Sequence, residues 1–506
     1  MSTRRLISNS LFAIISKITN ALIQIISLPV LLKVYGKGDY GLIVIAMALN
    51  SFIAIMQLGL PTGFPKFVSE WLAEGNHKQL HAAIQTISSF YLFIAMINFL
   101  VLMTLVFWGY DLFKINANQI STLQTLLIIT AITSLLSIPA SVLDQLLTGA
   151  QELGFVSSLE IVKNFIFAGL VAFVYFHPTE LSISCFYALQ CFLMFIMIPA
   201  KLYRWTRYGS IGVFLPGWNF KKVLPLLKYC LSLMAFSIFI LIADSLRPII
   251  LGMRVPSDAG TVLTDYQIMN YVRMFLLMIS SSMMLALIPH VSGARASGNQ
   301  FIYDKTIEQG TKYLWAVTAL AGFGIIMLSK EVLSIYVGAE NLSLKIWLMI
   351  LTGATLYNLY VTPIASVILS SGKLFPMLFA TASGCFVSVL VCWFLTPRLG
   401  VGAIVISVAA YNLVNMMVTH FWYLPRYFNV RPIRQIVHIM LPPVVSGLIM
   451  CFAGRFIING LGYTNDYINL AIGVFCGTII YTSIILLIYI RPREACELYY
   501  KITRSS

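Results

Sequence analysis

Stretches of about twenty predominantly apolar residues, the length that crosses a hydrocarbon core as a helix, follow one another along almost the whole chain. Few folds tolerate that. Lipid offers no partner for an unpaired backbone group, so a spanning chain must form helices or a closed barrel, and runs this long and continuous choose helices. They fall near 6–33, 40–61, 80–109, 120–147, 155–176, 181–204, 225–252, 262–289, 311–337, 343–370, 374–396, 401–425, 434–458 and 466–490. Only 10% of the 506 residues are charged, against roughly 25% in soluble domains, too few to cover a water-facing surface. The expected fold class is an all-α polytopic membrane protein with about fourteen transmembrane helices.

The net charge of +15 would suggest nucleic acid in a soluble protein. Here the Lys and Arg residues concentrate in short connections beside apolar runs, which is the mark of membrane orientation, and no nucleic-acid partner is expected. The side holding Arg4, Arg5, Lys66, Lys78, the Lys201 to Lys228 group, Lys373 and Arg434 carries the larger share of them. Both termini are therefore expected in the cytoplasm, in a multi-pass protein of the inner membrane. The first apolar run continues past Arg5 for more than twenty residues without a small-residue cleavage site, so it reads as a retained helix. The eight cysteines contain no Cys-x-x-Cys pair and read as small apolar fillers. His77 and His81 lack the partners of a zinc site and read as a solvated pair.

The connection 205–224 is long and basic, with Arg207, Lys221 and Lys222 among Trp205, Tyr208, Phe214, Trp218 and Phe220. It reads as an amphipathic linker lying on the anionic inner leaflet, dividing two groups of six helices. Those groups look duplicated. Gly75-Asn76 recurs as Gly298-Asn299, Pro139 as Pro363, Gly149 as Gly372 and Pro199 as Pro425, all at a nearly constant offset. The expected organisation is a six-helix lobe over 1–204, the linker at 205–224, a second, pseudo-symmetric six-helix lobe over 225–430, and two extra helices with a cytoplasmic tail over 431–506. Parallel repeats leave a central cleft in which one half can rock on the other.

An ionisable side chain at mid-membrane costs roughly 2.5–3.5 kcal/mol on insertion scales, so each one is by default a hypothesis about function. In the first helix Lys17, Asn20, Gln24 and Ser27 draw one polar stripe. The fifth offers Glu160, Lys163 and Asn164, the seventh Asp244 and Arg247, the eighth Tyr266, Asn270, Arg273 and Ser280, and the twelfth Tyr411, Asn412, Asn415 and Thr419. The bland readings stand beside these: Asp244 with Arg247 as a structural ion pair, Glu160 with Lys163 snorkelling to the inner boundary, and Asp144 as a structural residue at a helix end. Lys17, Lys163, Arg247 and Arg273 against Asp244 and Glu160 leave the expected cleft cationic, which suits an anion such as pyrophosphate. The candidate substrate-binding set is thus Lys17, Lys163, Arg247 and Arg273, with Asn20, Gln24, Asn270 and Asn412 as polar lining and Asp244 as the candidate coupling acid. No nucleophile–base pair, metal constellation or phosphate loop is found, so no enzymatic activity is expected.

The segment Leu28-Pro29-Val30-Leu31-Leu32-Lys33-Val34-Tyr35-Gly36, followed by Asp39-Tyr40-Gly41-Leu42 and Gln57-Leu58-Gly59-Leu60, resembles the start of Wzx-type polysaccharide flippases. These belong to the multidrug/oligosaccharidyl-lipid/polysaccharide exporter superfamily. In that family a proline ends the first helix, a Gly-x-x-x-Tyr-Gly turn follows, and a Leu-Gly-Leu element closes the second helix. The resemblance implies a MATE-like fold that moves undecaprenyl-pyrophosphate-linked sugar repeat units, for O-antigen, capsule or exopolysaccharide, from the cytoplasmic to the periplasmic leaflet. The head group would ride in the cationic cleft while the polyprenyl tail stays in lipid along a groove near the last two helices. Partners implied are the lipid-linked substrate, membrane lipids, a polysaccharide polymerase and a chain-length regulator. No cofactor is implied, and a proton or sodium gradient is the candidate energy source. The rival readings are a cation-coupled multidrug exporter of the same superfamily, against which Lys17 argues, and an integral-membrane polymerase or acyltransferase, against which the short loops argue.

Overall fold

The computed structural model describes residues 3–488 apart from 52, 58, 110–111, 209–216, 257, 297–299, 372–374 and 429–431. Every long regular element in it is a helix. In chain order these are α1 (Thr3–Asn50), α2 (Ile53–Met56), α3 (Leu60–Ala73), α4 (His77–Trp108), α5 (Ile120–Gly149), α6 (Leu153–Phe176), α7 (Ile183–Ile196), α8 (Ile198–Trp205), α9 (Phe220–Arg254) and α10 (Ala259–Ala296). There follow α11 (Gln300–Met327), α12 (Ser329–Val337), α13 (Lys345–Ser371), α14 (Phe375–Leu399), α15 (Val401–Met416), α16 (Leu424–Phe428), α17 (Pro432–Gln435), α18 (Leu441–Leu461) and α19 (Asp466–Ile488). Two π-helical segments, Met417–Tyr423 and Ile436–Met440, extend α15 and α17. Among the described residues, eleven helices are long and apolar enough to cross a membrane. The chain is a multi-pass membrane protein. Its α9 and α10, of 35 and 38 residues, coincide with the seventh and eighth helices expected from sequence.

The opening motif agrees with expectation at one boundary and departs from it at another. The first two expected helices are two arms, labelled together as α1, that meet at a sharp non-helical break at Gly36 (φ 77°, ψ 167°). A side chain is disfavoured at such a φ, which explains glycine there. At 1.5 Å per residue the two arms, 3–35 and 37–50, are about 50 and 20 Å long. The Leu-Gly-Leu element does not close the second helix, because α1 has already ended at Asn50. Gly59, left-handed at φ 71°, instead begins α3, with Pro61 in the first turn. Proline suits that place because its missing N–H has no intrahelical partner to lose.

The contacts divide the chain into two compact units. The first comprises residues 1–271 and 381–407. Within it α4 packs along α5, α1 along α6, and α3 against α5 and α9, around a core that includes Leu60, Phe64, Trp71, Tyr91 and Trp205. Gly75 is left-handed at φ 67°, and the Asn76 side chain caps α4 by accepting from the Gln79 N–H. The Gly36–Gly41 motif lies against the start of α10. A side chain at Gly41 would run into the Gly260 carbonyl, and one at Gly260 into the Gly38 carbonyl. Around that close approach Thr264 donates to the Lys37 carbonyl (2.7 Å), Lys37 Nζ meets Asp265 Oδ1 (2.6 Å), and Gln119 donates to Asp39 Oδ1 (2.7 Å).

The linker is anchored to this unit at both ends. On the near side buried Glu152 accepts from Arg204 (2.9 Å) and from the Tyr208 hydroxyl (2.5 Å). On the far side the Gly217 N–H donates to Ser89 Oγ (2.8 Å) and the Asn219 N–H to Thr86 Oγ1 (3.0 Å), both on α4. Trp205, expected among the aromatics lying on the leaflet, is fully buried in the core instead. Trp218 is exposed as that reading requires. Phe214 lies outside the described residues, as do the repeat landmarks Gly298-Asn299 and Gly372.

The second unit comprises residues 272–380 and 408–506. Here α11 packs on α13 and α18, and α18 on α19. Glycines permit the close approach of these helices, as small residues do between membrane helices generally. Side chains at Gly447, Gly454 and Gly473 would strike Phe323, Met327 and Leu328 respectively. Polar ties accompany the packing. Arg455 grips Glu331 with two bonds (2.7 and 2.9 Å), Ser334 donates to Asp466 (2.5 Å), Trp315 Nε1 to the Met440 carbonyl (3.1 Å), and Tyr481 to the Ala316 carbonyl (2.8 Å). The two extra helices, α18 and α19, are therefore keyed into the second unit.

Candidate functional site: a charged cavity in the first unit

Residues three and four apart share one face of a helix, and α6 uses that rule to present Glu160, Lys163, Asn164 and Phe167 together. The same rule aligns Asn20, Gln24 and Ser27 on α1. The α6 face borders two adjoining cavities and the α1 face the smaller of them. One, of about 370 Å³, is lined by Asn50 at the end of α1, Ser51 and Gln57, Ser137, Ser141 and Asp144 of α5, Glu160 and Lys163 of α6, and Lys201 of α8. The other, of about 270 Å³, is lined by Asn20, Gln24, Ser27, Tyr40, Lys163, Asn164, Gln190 and Tyr271. Lys163 belongs to both.

Each lysine of the larger cavity is held by an acid. Lys163 pairs with Glu160 one turn away, and Lys201 with Asp144 at 2.7 Å. Lys163 and Glu160 are 22% and 33% exposed and Asp144 is 40% exposed, while Lys201 is buried at 8%. The Coulomb gain of a partly exposed pair is small, so the partners of Glu160–Lys163 can exchange, and the open Asp144 carboxylate is the displaceable member of the other pair. A phosphate entering this space can take the place of a carboxylate on an ammonium group that supplies three donors. In the smaller cavity Gln24 donates to Asn20 Oδ1 (2.9 Å). Asn164, only 6% exposed, has no hydrogen-bond partner for its side-chain Nδ2.

The other candidate residues lie as follows. Lys17 is exposed on α1, outside both cavities. Arg247 is buried in the first unit, donating to Asp244 Oδ1 (2.6 Å) and to Ser388 Oγ (2.9 Å). The ion pair between Asp244 and Arg247 that the spacing allows is thus formed. Asn270 is half-buried on α10 in the first unit, and Arg273 is buried in the second. Asn412, also in the second, donates to the Ala354 carbonyl of α13 (2.8 Å), a packing contact. Sequence reasoning missed Asp144 and Lys201 as a cavity pair, along with Gln190 and Gln57. Asp144 read as a helix end and Lys201 as a loop cation, and no local spacing joins α5 to α8. The cavity is accordingly charge-balanced, with two acids facing two lysines. Among the described residues no cluster of three His, Cys, Asp or Glu side chains able to hold a metal occurs.

An all-helical, multi-pass chain with a charged cavity inside its first unit has the form of a membrane transporter. The chain belongs to the polysaccharide biosynthesis protein family, whose model matches residues 6–294. That match contains the whole opening segment and bears out the resemblance drawn from it. No curated protein matches the sequence. Among solved structures the chain is similar to the lipid II flippase MurJ in its inward closed conformation, at 14% identity and TM-score 0.66, over 95% of this chain and 98% of MurJ. It is also similar to the MATE multidrug transporter DinF-BH, at 16% identity and TM-score 0.59, over 85% of this chain and 97% of the other. The MATE transporter VcmN of Vibrio cholerae matches at 12% identity and TM-score 0.59, over 85% and 98%. Identities this low show the fold, which is MATE-like as expected.

Proposed function

We propose that the protein is a flippase that carries an oligosaccharide linked to undecaprenyl pyrophosphate from the cytoplasmic to the periplasmic leaflet of the inner membrane, with both termini in the cytoplasm. The observation that carries this reading is the cavity in which Lys163 and Lys201 are each held by a displaceable carboxylate, in a membrane protein of a polysaccharide biosynthesis family. The pyrophosphate takes the lysines from Glu160 and Asp144, the sugars hydrogen-bond to Asn20, Gln24 and Gln190, and alternation of the two six-helix lobes moves the head group across. Lys17, Arg247 and Arg273 belong to the same reading as cations along its path. A polysaccharide polymerase and a chain-length regulator receive the product.

A proton or sodium gradient drives the cycle in this reading. The carboxylates displaced from the lysines are the groups that would take up the cation, and Asp244, held by Arg247, is the other candidate. The same two carboxylates also favour a second reading, a cation-coupled multidrug exporter.

The test is to delete the gene in its native host and complement it with wild type, Lys163→Ala and Lys201→Ala at equal expression. The flippase reading expects lipid-linked repeat units to accumulate on the inner leaflet and surface polysaccharide to be lost. Wild type relieves this, and each variant does so at least tenfold less well. Unchanged polysaccharide with new sensitivity to cationic drugs would transfer the cavity to the exporter reading.

A further inference from the structure

Above the smaller cavity α1 and α6 part to leave an apolar groove of about 300 Å³. Ile23, Ile26 and Val30 form one wall, Ala168, Ala172 and Phe176 the other, and the lining contains no charged residue. The alanines, four apart on α6, supply the room. Ser27 lines both the groove and the polar cavity, so the two spaces share a wall.

On α1 the groove residues Ile23, Ile26 and Val30 alternate with the cavity residues Asn20, Gln24 and Ser27, so cavity and groove lie side by side along that helix. On α6 Lys163 and Asn164 come first, then Ala168, then Ala172 and Phe176. From Asn164 to Ala172 is about 12 Å along the helix axis. At the polar end Asn164 lines the cavity, and its buried side-chain Nδ2 has no acceptor. A buried donor left unpaired carries a desolvation cost that an incoming oxygen removes. The shape is that of one amphiphile: a head that accepts hydrogen bonds and carries negative charge, with an apolar tail leaving sideways.

We infer that the α1–α6 groove seats the first isoprenoid units of the lipid-linked substrate while its phosphates lie in the polar cavity beside Lys163 and Asn164. This rests on the flippase reading. With the amino terminus in the cytoplasm, α1 and α6 both run outward, so Lys163 and Asn164 sit near the middle of α6 and the groove occupies its outer half. From head to tail the amphiphile then points outward, the direction it has in the inner leaflet, with its head partway across. Because the surrounding lipid is as apolar as the groove, the groove confers shape selection rather than hydrophobic affinity.

A second apolar groove, in the second unit between α11, α18 and α19, is the place the opening-segment resemblance suggests for the tail. It is lined by Gly324, Met450, Gly473 and Gly477 among others, and it shares no lining residue with either of the two charged cavities.

The test uses full-length protein in vesicles of phosphatidylethanolamine and phosphatidylglycerol, with radiolabelled undecaprenyl pyrophosphate as probe. A photo-crosslinking residue is placed at Ala172, at Val474 in the second groove, or at exposed Phe475 on the lipid-facing side of α19. The inference expects several-fold more label at Ala172 than at either other site, competed by unlabelled undecaprenyl pyrophosphate and not by added phosphatidylglycerol. Equal label at Ala172 and Phe475, label concentrated at Val474, or competition by phosphatidylglycerol would each overturn it. In parallel, Ala168→Leu and Ala172→Leu, which fill the groove at full expression, are scored for flipping in the deletion strain. Loss of flipping supports the groove, and wild-type flipping overturns it. If wild type itself fails to relieve accumulation of repeat units, the flippase reading fails independently of the groove.

Discussion

The two units use ion pairs of the same chemical kind for opposite ends. In the first, Glu160–Lys163 and Asp144–Lys201 face a cavity, and both acids keep part of their surface open although Lys201 is buried. In the second, the acid Glu331 is 1% exposed and both its oxygens are taken up by a two-bonded, partly exposed Arg455. The first arrangement holds charge ready for exchange. The second fixes α12 to α18 and leaves nothing to exchange. The difference teaches that a membrane-embedded charge is a functional candidate when its partner is replaceable, and a fastener when its partner is geometrically complete.

The sharpest way to break this contrast is Arg455→Met. It leaves Glu331 buried and unpaired, so a loss of about 3–5 kcal/mol is expected, seen as an earlier thermal unfolding in detergent or as failure to yield monodisperse protein. The double variant Glu331→Gln with Arg455→Met should recover much of that loss. If the single variant melts with wild type, the fastener reading is wrong. Next comes Gly41→Val in the first unit, which pushes α1 off the backbone of α10 and should cost about 1–3 kcal/mol, measured the same way. Lys163→Ala is expected to change stability by no more than about 1 kcal/mol while abolishing most transport, and a large drop in unfolding temperature would move it into the fastener class. The smallest effect belongs to Lys37→Ala. Its bond to Asp265 is partly exposed, so about 0.5 kcal/mol or less is expected, and added salt should shrink the difference further.

Much of this architecture was legible because lipid leaves so few solutions. Once the apolar runs were located, helices followed, and their polar stripes could be read at helical spacing. Asn20 and Gln24 on α1, and Lys163 with Asn164 on α6, do line one cavity, since i, i+4 neighbours are set by local geometry alone. The pairing of Asp144 with Lys201 was not legible, because it joins α5 to α8 and depends on how helices distant in sequence pack. The Leu-Gly-Leu element failed for a different reason. A glycine beside apolar residues marks a helix boundary, but a left-handed glycine serves a beginning as well as an end, and only the backbone angle distinguishes them. The glycines of α18 and α19 read as ordinary membrane composition until Phe323, Met327 and Leu328 are seen pressed against them.

The anchored linker has a mechanical consequence. A free tether transmits position only when it is pulled taut, and otherwise stores slack. Here Glu152 clamps the near end and Ser89 with Thr86 clamps the far end, so α9 begins one residue beyond a fixed bearing on α4. Any tilt of α9 is then a rotation about that bearing. Its far end, at Arg254, sweeps the largest arc, and a small angular change at the bearing becomes a displacement of several ångströms where α9 hands over to α10.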